Sequence, residues 1–179
     1  PTGRVLRITM VAPALMAGNA AVLKHASNVP RCALEIEAVL TAAGLPDGLF
    51  RTLLLGGERA SALVGDSRIR AVTLTGSEGA GSTVAAAAGR ALKKTVLELG
   101  GSDPFVVLAD ADLDRAARVA ADARLVNGGQ SCIAAKRFII VDAIADRFVE
   151  KMVAEMGTRR IGDPLDRATQ VGPQARREL

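Results

Sequence analysis

The chain has 179 residues, 49% of them hydrophobic, and a formal net charge of +4 from 23 basic and 19 acidic side chains. That apolar fraction supports a sizeable core and excludes wholesale disorder, while two cysteines and one histidine exclude a zinc cluster or a secreted disulfide scaffold. Aromatic residues make up only 2%, with no Trp or Tyr to stack on nucleic-acid bases, and no apolar run is long enough to span a bilayer.

The N-terminal stretch "RVLRITMVAPALMAGNAA" has early arginines, an apolar middle and small residues after it. It loosely mimics a signal peptide. Pro13 interrupts its apolar middle, and the chain runs on into "AAVLK" (20–24), which reads as a strand. The expectation is an internal segment of a cytoplasmic protein. From Val29 to Ala43, Cys32, Ala33, Ile36, Val39 and Leu40 recur at helical spacing, and Gly44 stops the helix. On that face Cys32 is expected to be a small buried hydrophobe.

"LFRTLLL" (49–55) reads as a strand, 56–66 as a turn with a short helix, and "IRAVTLTG" (69–76) as a strand. Residues 77–94 read as a helix with Ser77 at its N-cap and Glu78 in the first turn. Then follow strands at 95–101 and 104–108, an acidic-started helix at 110–126, a strand at 137–141 and a helix at 143–156. Strands alternating with helices predict parallel strands with crossover helices, an α/β class. The Gly, Asp and Pro of "LGGSDP" (99–104) mark the domain boundary. Residues 1–98 are expected to form a Rossmann-like domain, and 99–179 to begin a second α/β domain.

Four places are candidates for chemistry. "LTGSEGAG" (74–81) carries a strand into small residues and a helix start. Such a turn suits an anion, although the spacing is neither G-x-G-x-x-G nor a P-loop. Lys24 stands at a strand's carboxyl end, where an α/β sheet binds ligands; His25 beside it reads as a surface or loop histidine. In "NGGQSCIAAKRF" (127–138), Gly128 and Gly129 open the backbone around Cys132, and Lys136 and Arg137 add positive charge. The thiol could fill a core, clip a disulfide, hold a metal or attack a substrate; the glycines and basic neighbours favour thiolate chemistry. One histidine makes a Cys–His pair a poor choice of activation, so a carboxylate must serve, or a group outside this chain. Glu98 interrupts the apolar strand "TVLELGG", where a carboxylate is costly unless paired or functional; on composition alone a structural cysteine and an edge-strand glutamate are the stronger reading.

Glu98-Leu99-Gly100-Gly101 and Gly129-Gln130-Ser131-Cys132, with the glutamate and cysteine 34 positions apart, resemble the two signatures of the aldehyde dehydrogenase superfamily. "PALMAGNAAVLKHAS", "VTLTGS", "ELGGSDPF" and "CIAAKRFI" are similar to the same family, in the family's order, and cover nearly all of the chain from Ala12 onward. The resemblance implies that Cys132 attacks an aldehyde carbonyl to give a thiohemiacetal. After hydride loss to a nicotinamide, Glu98 activates the water that hydrolyses the thioester. It also implies that Gly76 and Ser77 contact the pyrophosphate, Lys24 reaches the adenosine ribose, and the Leu99 backbone lies near the nicotinamide. Where family members that favour NAD often carry Glu, this chain has Ser27, so NADP or NAD is the expected cofactor.

"GSDPF", "AAKRFII" and "LKHASNVP" look most like the succinate-semialdehyde dehydrogenase branch. The arginines expected for that substrate are replaced by Val126 and Thr9, with Arg7 off register. "PTGRVLR" lacks the family's P-W-N-[FY]-P motif. The family's C-terminal part, with a second ribose-binding glutamate and oligomerising strands, is also missing. The resemblance thus implies a fragment of a homo-oligomeric enzyme acting on a small-molecule aldehyde, with no nucleic-acid, membrane or metal partner, and with little activity as an isolated piece. The rival readings are an inactive cofactor-binding or assembly fragment, an enzyme for a different aldehyde, and a thiol acyl-transfer or redox protein.

Overall fold

The computed structural model describes residues 10–177; Arg7, Thr9 and the segment "PTGRVLR" lie outside them. The chain divides into two compact units, between Leu99 and Gly100, one residue beyond the expected boundary.

In the unit ending at Leu99, a six-residue helix α1 (Val11–Met16) comes first. Pro13 does not interrupt it, because the proline sits in the first turn, where an N–H has no helical partner. Strand β1 (Ala21–Lys24) pairs in parallel with β2 (Phe50–Leu53) through helix α2 (Pro30–Ala42). Helix α3 (Gly57–Gly65) leads to β3 (Ala71–Thr75), which pairs in parallel with β4 (Lys94–Glu98) through helix α4 (Glu78–Arg90). In the unit from Gly100, β5 (Asp103–Val107) pairs with β6 (Ala135–Ile140) through helix α5 (Leu113–Leu125), and helix α6 (Ala145–Gly157) follows.

Each parallel pair needs a long crossover, and a helix supplies it each time. The expected α/β class therefore holds. Among the described residues the strands form three two-stranded parallel pairs, not one continuous sheet; each pair closes locally through its own crossover. No described helix is long and apolar enough to cross a membrane.

The pattern for α2 is right in period but wrong in phase. Its inward side is Ala33, Ile36, Glu37 and Leu40, with Ala33 buried, and Cys32 lies outside it, exposed. The structure thus corrects the buried cysteine. The cause is Glu37, a charged residue that turns inward because it has donors there. Its carboxylate accepts the Thr52 N–H at 2.6 Å and the Arg51 guanidinium at 2.9 Å. The Thr52 hydroxyl donates to the Ala33 carbonyl at 2.9 Å, so α2 is pinned to β2 at two neighbouring points.

Both βαβ helices in this unit end in the same motif with different residues. In α2, Gly44 takes a positive φ of 88°, and the N–H groups of Gly44 and Leu45 donate to Thr41 and Leu40. In α4 the residue at the equivalent place is Leu92, with φ 53° and 96% of its surface exposed. There the N–H groups of Leu92 and Lys93 donate to Gly89 and Ala88. This is a Schellman cap without its usual glycine. It ends α4 at Arg90, four residues before the sequence pattern predicts, and lets β4 start at Lys94. Lys93 then reaches back to the Val64 carbonyl at 2.6 Å, fastening the cap to the end of α3.

The unit from Gly100 has the better-formed core. Val107, Leu113, Ala117, Ala120, Ile144 and Phe148 are buried together, with Phe105, Phe138 and Met152 packed against them. Phe148 is 1% exposed, a burial that contributes on the order of 2–3 kcal/mol. The alanines of α5 face this core, so small residues set a close approach of the helix to the three phenylalanines. Lys151–Asp114 and Arg159–Asp122 pairs join α6 to α5 at the solvent edge.

Two measurements follow. Leu92→Gly removes the cost of a left-handed leucine and is expected to raise stability by roughly 0.5–1 kcal/mol in denaturant unfolding; a loss of stability would contradict the cap. The Thr52 N–H, and after it Arg51, hold the Glu37 carboxyl below its ordinary range. A carboxyl depressed by folding stabilises above its unfolded value, about 4.3, and loses that contribution as pH falls through its folded value. The difference in Tm between the native chain and Glu37→Gln should therefore be widest at neutral pH and narrow below about pH 4.

Candidate functional site

The carboxyl ends of β3 and β4 gather one group of candidates. Thr75 and Glu98 are register partners, and the Gly76 N–H donates to the Glu98 carbonyl at 3.0 Å. The chain then turns directly into α4. Ser77 caps the helix, its hydroxyl accepting the Ala80 N–H at 3.3 Å, as the sequence predicts. That leaves the Glu78 and Gly79 N–H groups at the open end of a thirteen-residue helix, where partial positive charge collects. A Cβ on Gly79 would meet nothing within 4 Å.

Glu98 ends β4 with its carboxylate exposed and without a hydrogen bond or ion pair among the described residues. The burial cost that singled it out in the sequence does not arise; the strand ends there, and the side chain faces solvent. Leu99, the next residue, packs against Gly81 on the second turn of α4. A Cβ on Gly81 would lie 2.7 Å from Leu99 Cδ2. Gly81 is therefore a contact residue that holds the strand end against the helix, a role its place in "GAG" did not reveal.

Lys24 is the last residue of β1, and its exposed ammonium has no acidic partner among the described residues. Ser27 lies exposed in the turn that follows, its hydroxyl likewise unpartnered. Lys24 at the end of β1, Ser27 after it, and the Glu78 and Gly79 N–H groups at the start of α4 are thus donors without acceptors among the described residues. His25 lies in the loop after β1, half-buried. Its Nδ1–H donates to the Ala26 carbonyl at 2.7 Å, and Nε2 is buried without a partner.

Cys132 belongs to the other unit, on the loop between α5 and β6. Asn127, Gly128 and Gly129 all take positive φ, of 53°, 65° and 80°. Three such residues in a row break the path of α5 and fold the chain back. Gln130 closes the turn by donating its N–H and its Nε2 to the Asn127 carbonyl, at 3.2 and 3.0 Å. The thiol is exposed, with no disulfide, and no cluster of three or more metal-ligating side chains forms among the described residues.

The basic neighbours do something other than the sequence suggests. Lys136 donates to the carbonyls of Cys132 at 3.0 Å, Ser131 at 3.2 Å and Ala134 at 3.3 Å. Arg137 Nε donates to the Ser102 carbonyl at 2.8 Å, tying "GGSD" to the start of β6. Both donate to main-chain carbonyls and so shape the loop, while their positive charge stays beside it. Gly101 sits close behind it: a Cβ there would come within 4.0 Å of the Cys132 carbonyl.

Sequence reasoning missed three further contributors. Arg124, in the last turn of α5, donates to the carbonyls of Gly129 at 3.2 Å and Ala135 at 3.0 Å. Gln174 donates to the Gly128 carbonyl at 3.1 Å, and the Ala175 N–H donates to Gln130 Oε1 at 2.9 Å. A basic residue in the last turn of a helix was a legible signal for Arg124. Nothing local marks Gln174, which is 46 positions from its partner. Val126, where an arginine was sought, is 42% exposed at the end of α5.

The sequence profile of the aldehyde dehydrogenase family matches residues 4–178. A probable succinate-semialdehyde dehydrogenase (NADP+) of Synechocystis is 57% identical over 164 residues, 92% of this chain and 36% of that protein. A succinate-semialdehyde dehydrogenase (NADP+) of Mycobacterium bovis is 56% identical over 168 residues, 94% of this chain and 37% of that protein. The crystal structure of succinic semialdehyde dehydrogenase from Streptococcus pyogenes, in complex with NADP+, superposes with a TM-score of 0.86 at 43% identity, over 90% of this chain and 35% of that one. The chain spans little more than a third of the length of these relatives. With nearly every residue inside the family profile and the fold shared, the chain belongs to the aldehyde dehydrogenase family.

Proposed function

We propose that the protein to which this chain belongs oxidises an aldehyde to a carboxylic acid with NADP or NAD, and that Cys132 is the nucleophile. The observation that carries this reading is the thiol itself: exposed, unpaired, and seated on a loop whose conformation is fixed from both sides. Among the described residues the N–H groups of Ser131, Cys132 and Ile133 have no acceptor. Such donors suit an oxyanion.

In this reading the Cys132 thiol gives its proton to Glu98, which passes it to solvent, as the sulfur adds to the carbonyl carbon; a C–S bond forms, and the carbonyl π electrons move to oxygen. The Cys132 N–H holds that oxyanion. A nicotinamide, when held by the donors of the unit ending at Leu99, would supply the hydride acceptor, and loss of hydride from the thiohemiacetal carbon would leave a thioester on Cys132. Glu98 takes a proton from water, whose oxygen attacks the thioester; the C–S bond breaks and the acid leaves. Two lower barriers replace one high one. Glu98 is suited to proton transfer because its carboxylate is exposed and engaged by nothing else among the described residues.

The unit ending at Leu99 would hold the cofactor. Lys24 and Ser27 would take the adenosine ribose and its substituent, Gly76 and Ser77 the pyrophosphate, and Leu99 would lie near the nicotinamide. Two observations support this assignment: the free donors at Lys24, Ser27 and the open end of α4, and the relatives' names. A serine at position 27 leaves no carboxylate to repel a 2′-phosphate, so NADP is accepted.

Succinate semialdehyde is the substrate favoured by the relatives' names. Val126, in place of an arginine, favours a second reading in which the aldehyde is neutral. Comparing kcat/KM for succinate semialdehyde and butanal in the full-length protein decides between them.

Three variants of the full-length protein test the mechanism. Cys132→Ser should abolish aldehyde oxidation. Glu98→Gln should still form the thioester, read as a burst of NADPH, while steady turnover falls by about 100-fold or more. Ser27→Glu should weaken NADP binding relative to NAD. Oxidation that survives Cys132→Ser would overturn the reading.

A further inference from the structure

The loop from Gly129 to Ala135 has seven carbonyl groups, and two side chains collect five of them. Arg124 takes the two ends, Gly129 and Ala135, with one guanidinium. Lys136 takes Ser131, Cys132 and Ala134 from within. Neither cation has a carboxylate partner among the described residues.

Lys136 owes its position to Pro104. In the β5–β6 ladder Asp103 is opposite Ala135, whereas Pro104 is opposite Arg137. A proline has no N–H to give the ladder, and the register shifts there, leaving Lys136 as the unpaired residue of a bulge. A bulge re-aims a side chain, and this one sends the ammonium back over the cysteine turn. Arg124 depends equally on a neighbour: a Cβ at Gly129 would lie 2.7 Å from its Nη2, so only glycine leaves the guanidinium room.

A short loop cannot point its carbonyls and its N–H groups to the same side. With the carbonyls of Ser131 and Cys132 drawn to Lys136, the N–H groups of Cys132 and Ile133, which share those two peptides, face away from it, and the Ser131 N–H is free as well. We propose that Arg124 and Lys136 are positioning residues for the Cys132 thiol, holding the 129–135 carbonyls together so that those three N–H groups and the sulfur present one fixed arrangement to the reacting aldehyde. The proposal rests on Cys132 being the nucleophile, and its consequence is specific. Loss of either cation displaces the thiol and its oxyanion donors without touching the groups assigned to the cofactor.

The test uses the full-length protein with Arg124→Met, Arg124→Lys, Lys136→Met and, as the reference, Cys132→Ser. Steady-state kinetics give kcat and KM for aldehyde and for NADP. Alkylation by iodoacetamide, followed at Cys132 by peptide mass spectrometry, gives thiol presentation without turnover; exposed Cys32 serves as the internal standard. Both methionine variants should lower kcat about 10- to 100-fold and change the Cys132 alkylation rate, with KM for NADP and Cys32 alkylation unmoved. Arg124→Lys should recover part of the loss. Should Arg124→Met fail to fold, Lys136→Met decides alone, because its side chain is half-exposed and its removal strands no buried charge. Wild-type kcat and alkylation in Lys136→Met, alongside an inactive Cys132→Ser, overturn the positioning role and leave the nucleophile intact. Activity in Cys132→Ser overturns both.

Discussion

A loop that exposes a thiol has to dispose of its own carbonyl oxygens, and at Cys132 that constraint shapes the segment. Left to solvent, the seven peptide groups from Gly129 to Ala135 would have many conformations of similar energy. Two cations remove that freedom by drawing five carbonyls toward themselves. Hydrogen bonds from charged donors are stronger than neutral ones, and a planar guanidinium can span the two ends of the loop where an ammonium is better placed inside it. The remaining oddities of the segment then have a common cause. Three residues of positive φ deliver the chain to Arg124, and a proline in β5 delivers Lys136 to the turn. Gln174 and Ala175 brace the opposite side from far along the sequence.

The unit that ends at Leu99 solves a different problem, that of presenting donors at strand ends. Parallel pairing sends β3 and β4 out at the same end, so Gly76 and Glu98 finish side by side and α4 opens immediately beyond. Ser77 satisfies one N–H of the first turn and leaves others open. Gly81 then admits Leu99 against the helix, which fixes the strand end beside that open turn. No residue here is unusual alone; the arrangement follows from pairing direction and from one close contact.

Much of this was legible in the sequence, for reasons that can be stated residue by residue. Apolar periodicity found the strands and longer helices; Gly44 and Ser77 announced a helix end and a helix start because backbone chemistry demands such residues there. The signatures around Glu98 and Cys132 pointed to the family before any geometry was available. What was not legible was mostly non-local. Leucine favours helices, so nothing warned that Leu92 would adopt a left-handed turn; its cap depends on carbonyls already laid down by α4. Glu37 rotated α2 and put Cys32 outside because donors on β2, more than ten residues away, reward a carboxylate facing inward. The charges of Lys136 and Arg137 were visible, but their targets were carbonyls, which every residue carries and no sequence distinguishes.

The same Glu37 has a consequence for how this chain meets other chains. A strand pair leaves two flanks of peptide groups, each able to recruit a stray extended segment. On β2, the N–H of Thr52 would be one of the hooks, and it is already occupied by a side chain from α2. A foreign strand approaching there would have to evict a carboxylate that is also paired with Arg51. Guarding one peptide group by an internal acid is thus a local defence against unwanted assembly, and it would weaken in acid, where the guard becomes neutral.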